Sequence, residues 1–155
     1  IHTEKDGWTY LASVEDLYSR KIIGWAFGKT MDAELAKKAL KNASLNVKKT
    51  KGIILQTDLG SQYTSNIFEE YLAELKIRHS YSRKGCPYDN SCIESFHSIL
   101  KKEEVNLKKY KDFKEAYNAI FEFIEARYNR ERIHSCLNYK TPDEVHSEDE
   151  ESFAA

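Results

Sequence analysis

The sequence predicts an α/β fold: a five-stranded mixed sheet, three antiparallel strands followed by two parallel ones, flanked by helices. Three observations point there. Strand-like runs rich in aromatic and β-branched residues fill the first 27 positions. Apolar residues then recur at helical spacing, and two further strand-like runs follow with a helix between them. A strand–helix–strand order requires a crossover, which makes those last two strands parallel. At 155 residues, 41% hydrophobic and 32% charged, the chain can bury one core of ordinary size.

The elements follow in order. Trp8-Thr9-Tyr10-Leu11-Ala12-Ser13-Val14 reads as a strand, and the Lys5-Asp6-Gly7 segment ahead of it signals a tight turn. Ile1–Thr3 is therefore expected to be the end of a strand that pairs back across that turn. Asp16–Arg20 forms the next corner, with Asp16 bonding backbone near Ser19, and Lys21–Phe27 is the third strand. Residues 30–46 carry Leu35, Ala36, Ala39, Leu40 and Ala43 on one helical stripe, with Asp32 and Glu34 at the positive N-terminal end. Gly52–Thr57 is a short apolar run of the kind found in buried parallel strands. A helix opens near Thr64/Ser65, both good caps, and Ile77–Ser82 is the fifth strand. The Gly- and Pro-containing stretch Ser82–Asp89 is a loop. A helix from about Asn90 to Lys102 follows, and the longest helix runs from Lys111 to Arg130.

Residues 1–142 are expected to form the core and residues 143–155 a flexible acidic tail. That tail holds six acidic residues and no Lys or Arg. It also hides the charge of the rest. The net charge is −1, yet residues 1–142 hold 24 basic against 19 acidic residues. Lys76–Lys111 holds nine basic against four acidic, a local surplus of the kind a phosphate-tracking surface uses. No apolar run approaches 18 residues and no leader pattern opens the chain, so no membrane segment and a cytoplasmic setting are expected. The cysteines Cys86, Cys92 and Cys136 form no CxxC pair. Their odd number fits a reducing compartment. A zinc site from His79, Cys86, Cys92 and His97 matches no standard spacing, so ordinary thiols are expected.

Two carboxylates stand out. Asp58 follows the strand that ends at Thr57, and sites in open α/β sheets form outside the carboxyl ends of strands. The same Asp before Leu59-Gly60 could instead cap a turn. Glu94 shares a polar helical face with Asn90, His97, Ser98 and Lys101, opposite Ile93, Phe96, Ile99 and Leu100. Alternatively, Ser91-Cys92-Ile93-Glu94 could be a capping box. Between Asp58 and Glu94 lie 35 residues.

Both carboxylates sit inside longer patterns. These are Trp8–Ala12 with Asp16–Trp25, Thr57–Ser65, and Asp89–Phe96 with Leu100-Lys101. Tyr128-Asn129, Arg132, His134-Ser135, Leu137, Tyr139 and Thr141-Pro142 with Glu144 complete them. In these segments, over nearly the whole chain, the sequence resembles the integrase-core (DDE-type) transposases of bacterial insertion sequences, relatives of retroviral integrase.

The resemblance implies a ribonuclease-H-like fold and a DNA transposase that cleaves 3′ ends and transfers strands. It implies two magnesium ions, replaceable by manganese, held by Asp58 and Glu94 as the catalytic ligands. It also implies contact with element-end and target DNA, assembly into a homo-oligomer on DNA, and a bacterial, nucleoid-associated setting. DNA-binding residues are expected at Lys101, Asn90, Lys84 and Arg83, with the Ser82–Asp89 loop as a flap. An upstream helix-turn-helix segment or protein would recognise the element ends. The family pattern has a further aspartate in the first strand, a few positions ahead of Ile1, so residues 1–155 alone are expected to be inactive. Two other readings stay open: a ribonuclease-H-like nuclease that does not join strands, and a non-catalytic nucleic-acid-binding module from a decayed element.

Overall fold

A computed structural model describes residues 1–83 and 90–154, with side chains through Asp149. The chain opens with a hairpin. β1 (His2–Thr3) pairs antiparallel with β2 (Gly7–Trp8), and Ile1 and Thr9 exchange backbone hydrogen bonds at 2.7 and 2.8 Å. Gly7 makes the turn at φ +74°, a conformation that costs glycine little. β3 (Tyr10–Glu15) and β4 (Ile22–Gly28) form the longest ladder, from Tyr10↔Gly28 to Glu15↔Ile22. The corner between them closes as its sequence predicts, with the Ser19 backbone N–H donating to Asp16 Oδ2 at 3.1 Å.

α1 (Ala33–Leu45) starts at Asp32, whose carboxylate accepts from the Leu35 N–H at 2.9 Å. Its stripe of Leu35, Ala36, Ala39, Leu40 and Ala43 is buried. β5 (Ile54–Thr57) leads to α2 (Asn66–Leu75), capped by Ser65. β6 (Arg78–Tyr81) then pairs parallel with β5, from Ile54↔Arg78 to Thr57↔Tyr81. α3 (Ser91–Glu103) and α4 (Phe113–Glu122) follow. The long helix expected over 111–130 is present but not uniform. From Phe123 to Glu131 it widens into π-helical turns, which bury Phe123, Ile124, Tyr128 and Asn129 while Phe121 stays half exposed. Residues Pro142–Ala154, read from sequence as an acidic tail, are helical and form α5. Its first turn is tied down by Asp143, which pairs with Lys21 at 2.8 Å and Arg130 at 3.4 Å.

β4 divides the core. Trp25 and Phe27 pack with Phe96, Leu100, Ile120 and Ile124 on the side of α3 and α4. On the other face Ala26 and Ala12 pack with Leu35 and Ala39 of α1. Gly24 lies here as well. A Cβ on it would stand 2.2 Å from the backbone nitrogen of Ala43, so only glycine lets α1 approach this closely. α1 also packs on α2, through Ala36, Leu40, Phe68 and Leu72.

Among the described residues the strands form three two-stranded ladders, and the expected five-stranded sheet is not traced as one. No ladder joins β3 to β5. A cavity of about 320 Å³ lies between them instead, lined by Leu11–Glu15 on one side and Ile54–Asp58 on the other. The expectation that β5 is buried also needs correction, because Ile54 is 57% exposed. A strand paired along one edge only is covered by fewer neighbours than a central one. No helix among the described residues is long and apolar enough to cross a membrane.

Candidate active site

Asp58 follows β5 directly. Its Oδ1 accepts the Gly60 N–H at 2.8 Å, so the turn-capping geometry foreseen for an Asp before Leu-Gly is present. A carboxylate has two oxygens, and this bond occupies one. The residue is exposed and faces the cavity between β3 and β5. Glu94 lines the same cavity from the first turn of α3 and is exposed too. The N-cap of α3 is Asn90, so Ser91 and Glu94 occupy the first and fourth helical positions. A capping box needs the serine at the cap and the glutamate third, so the local alternative for Glu94 is out of register.

The other predicted residues are spread around this cavity. Asn90 lines it, and its Oδ1 accepts the Ser82 hydroxyl at 2.7 Å. Lys101 is exposed two turns along α3 from Glu94 and lines a neighbouring cavity of about 860 Å³ together with Ile1, Tyr10 and Leu11. Leu11, Met31 and His97 border both cavities, so the two form one trough. Arg83 is exposed just beyond β6, and Lys84 lies outside the described residues. So does most of the predicted flap.

Three features escape a reading by local pattern. Glu15 ends β3 and lines the cavity, with a buried Oε2 that has no hydrogen-bond partner among the described residues. Burial raises its carboxyl to about 7, against the pull of the Arg20 charge. It follows an apolar strand and precedes the Asp16 corner, so nothing in its neighbours marks it. His97 has its Nε2 2.9 Å from the Ser13 hydroxyl. Burial, with the Lys101 charge, lowers it to about 4, so it is neutral at pH 7. Finally, His79 links Glu69 and Thr57, at 2.6 and 2.8 Å, and the Thr57 hydroxyl reaches the Asp58 carbonyl at 2.9 Å.

These bonds also bear on the zinc alternative. His79 and His97 are engaged in separate places and Cys86 lies outside the described residues. Among the described residues no three His, Cys, Asp or Glu side chains converge as a metal cluster. Two exposed hard-oxygen donors on one cavity, Asp58 and Glu94, suit a cation that keeps waters and takes further ligands from phosphate. The C-terminal pattern serves packing in part. Asn129 is buried against β4, and Arg132 pairs with Glu103 of α3.

The chain shares its α/β, ribonuclease-H-like fold with solved integrase cores. The catalytic core domain of BIV integrase matches at a TM-score of 0.69 and 18% identity, covering 100% of this chain and 94% of that one. The HTLV-2 integrase catalytic core domain in complex with magnesium, in its trimeric form, matches at a TM-score of 0.59 and 17% identity. The coverage there is 89% of this chain and 93% of that one. Two family models, both described as integrase core domain, match residues 1–87 and 75–142. The chain belongs to the integrase core domain family. It is 41% identical over 138 residues to the transposase for insertion sequence element IS904 of Lactococcus lactis, covering 89% of this chain and 54% of that protein. It is 40% identical over 139 residues to transposase InsF for insertion sequence IS3A of Escherichia coli, covering 90% and 48%. The chain thus spans about half the length of these curated relatives.

Proposed function

We propose that this chain is the catalytic core of a DNA transposase, cleaving DNA at the 3′ ends of a mobile element and transferring those ends to target DNA. One observation carries the reading. Asp58 and Glu94, with 35 residues between them in sequence and on different elements, line one cavity in a chain of the integrase core family. Within it, residues 1–142 form the catalytic unit and 143–155 an acidic appendage.

Asp58 and Glu94 would hold the divalent ions, magnesium with manganese as substitute. When bound, two such ions activate the attacking oxygen and stabilise the leaving oxygen of an in-line phosphoryl displacement. The Gly60 amide on Asp58 Oδ1 orients that carboxylate, and its other oxygen would be the one to hold a metal ion. Lys101, Asn90, Arg83 and Lys84 would contact DNA. Water attacks first, and the freed 3′-hydroxyl attacks the target second, so no side-chain nucleophile is called for.

The family pattern would add a third carboxylate, an aspartate on a strand paired with β3. The pairing of Ile1 with Thr9, His2 with Trp8 and Thr3 with Gly7, extended upstream, runs along the unpaired edge of β3. It would fill the trough between β3 and β5 and set the fourth residue before Ile1 opposite Ser13, beside His97. An aspartate there would reach the Asp58–Glu94 cavity. The protein works as an oligomer on DNA in the bacterial nucleoid. Element ends are recognised by an upstream helix-turn-helix segment or protein.

The test is a strand-joining assay on the full-length protein with labelled element-end DNA and magnesium or manganese, with Asp58→Asn and Glu94→Gln alongside. Each substitution should lower joining by on the order of 100-fold or more. Cleavage without joining would replace the transposase with a nuclease. DNA binding with no metal-dependent product would leave a non-catalytic binding module.

A further inference from the structure

Resting on the reading of Asp58 and Glu94 as paired metal ligands, we infer that Ser82 is a positioning residue that sets the spacing between them. Asp58 is held by β5 and Glu94 by α3, and Ser82 touches both elements. Its backbone N–H donates to the Thr57 carbonyl at 2.8 Å, the peptide that leads into Asp58. Its hydroxyl is 2.7 Å from Asn90 Oδ1, at the head of the helix that bears Glu94, and 3.1 Å from the Thr57 carbonyl. A hydroxyl has one proton to give. The shorter contact takes it, leaving the Thr57 carbonyl to the amide. Ser82 thus ties the end of β5 with its backbone and the start of α3 with its side chain, and it is only 9% exposed.

The behaviour of Asn90 is the second observation. Asparagine at an N-cap usually turns its side chain back to accept from the second or third helical amide, which stabilises a helix by about 1 kcal/mol. Asp32, Ser65 and Asp112 do this for α1, α2 and α4. Asn90 makes no such bond, and its Oδ1 is given to Ser82 instead. The helix forgoes a local stabilisation and is linked instead to the residue that holds the end of β5. Magnesium demands near-ideal octahedral geometry at short range, so a drift of one carboxylate relative to the other weakens its binding. The other side of the Asp58 turn is steadied by the Glu69–His79–Thr57 chain, and among the described residues Ser82 ties it to α3.

Two measurements on the full-length protein test this. The first is amide hydrogen exchange in the first turn of α3 and at Asp58–Gly60. Ser82→Ala should speed exchange there by on the order of fivefold, the loss of one hydrogen bond, and Ser82→Thr should restore it. The second is calorimetric titration with magnesium and with manganese. Ser82→Ala should weaken magnesium binding roughly tenfold and manganese less, with Ser82→Thr near wild type. Unchanged exchange in Ser82→Ala overturns the link between β5 and α3. Faster exchange with magnesium and manganese affinities unmoved, or both lowered equally, overturns the positioning role. If Asp58→Asn and Glu94→Gln leave metal binding intact, the reading of the site itself fails, whatever Ser82 does.

Discussion

The side chain of Asn129 completes both backbone hydrogen bonds of Ile22: its Nδ2 donates to the Ile22 carbonyl and its Oδ1 accepts the Ile22 N–H, each at 3.0 Å. Ile22 opens β4 where the ladder with β3 shifts register at Val14/Glu15. An amide carries its donor and its acceptor on separate atoms, so it can satisfy both groups at once.

Asn129→Ala should therefore destabilise the fold by about 2–4 kcal/mol, because it leaves a buried donor and a buried acceptor unpaired. Denaturant unfolding measures it. A loss below about 0.5 kcal/mol would mean that water replaces the amide and the bond pair is dispensable.

Gly24→Ala should destabilise by about 3 kcal/mol or more, since a methyl at 2.2 Å from the Ala43 nitrogen forces α1 away from β4. The clash is with backbone as well as side chain, so adding Ala43→Gly should not rescue it. Rescue in the double variant would show that the side-chain contact alone sets the approach.

Glu15 predicts a pH dependence. Its carboxyl is raised by burial from its ordinary value to about 7, so between roughly pH 4.5 and 7 the folded state holds a proton that the unfolded state has released. Stability from this group is complete below about pH 4.5 and is lost as pH rises through 7. Glu15→Gln should remove that loss. After discount for partial solvent screening and the nearby Arg20, the variant should gain on the order of 1–2 kcal/mol at pH 8. At pH 4 it should match the parent. Parallel stability curves from pH 4 to 8 would disprove a buried, unpaired acid.

Lys101→Ala should lower DNA affinity several-fold at low salt and reduce the slope of log K against log salt by about 1, the signature of one lost phosphate contact. Fold stability should stay within about 0.5 kcal/mol, because the side chain is exposed. An unchanged slope would remove Lys101 from the DNA-contacting set.

Much of the fold was legible because its punctuation is local. Asp32, Ser65 and Asp112 each accept a hydrogen bond from the amide three residues on, and Asp16 does the same at Ser19. Such bonds span one turn of chain, so residue type and spacing specify them. The apolar stripe of α1 and the buried Phe96 and Leu100 of α3 follow from helical period alone. Asp58 and Glu94 were legible as a pair because each sits inside an extended pattern, although the local reading of each also offered a capping role.

What only the tertiary structure decided depends on partners far away in sequence. Which strands pair is set between distant segments: β3 pairs with β4 and β5 with β6, and no single window of sequence records those partners. Glu15 keeps its proton because of the cavity wall around it, and Asn129 is fixed by a strand 107 residues away. Asn90, by type a helix cap, bonds Ser82 beyond β6 instead, a partner its own helix does not specify. Local hydrogen-bond chemistry is carried by residue order, whereas desolvation and cross-element bonds exist only after distant elements pack.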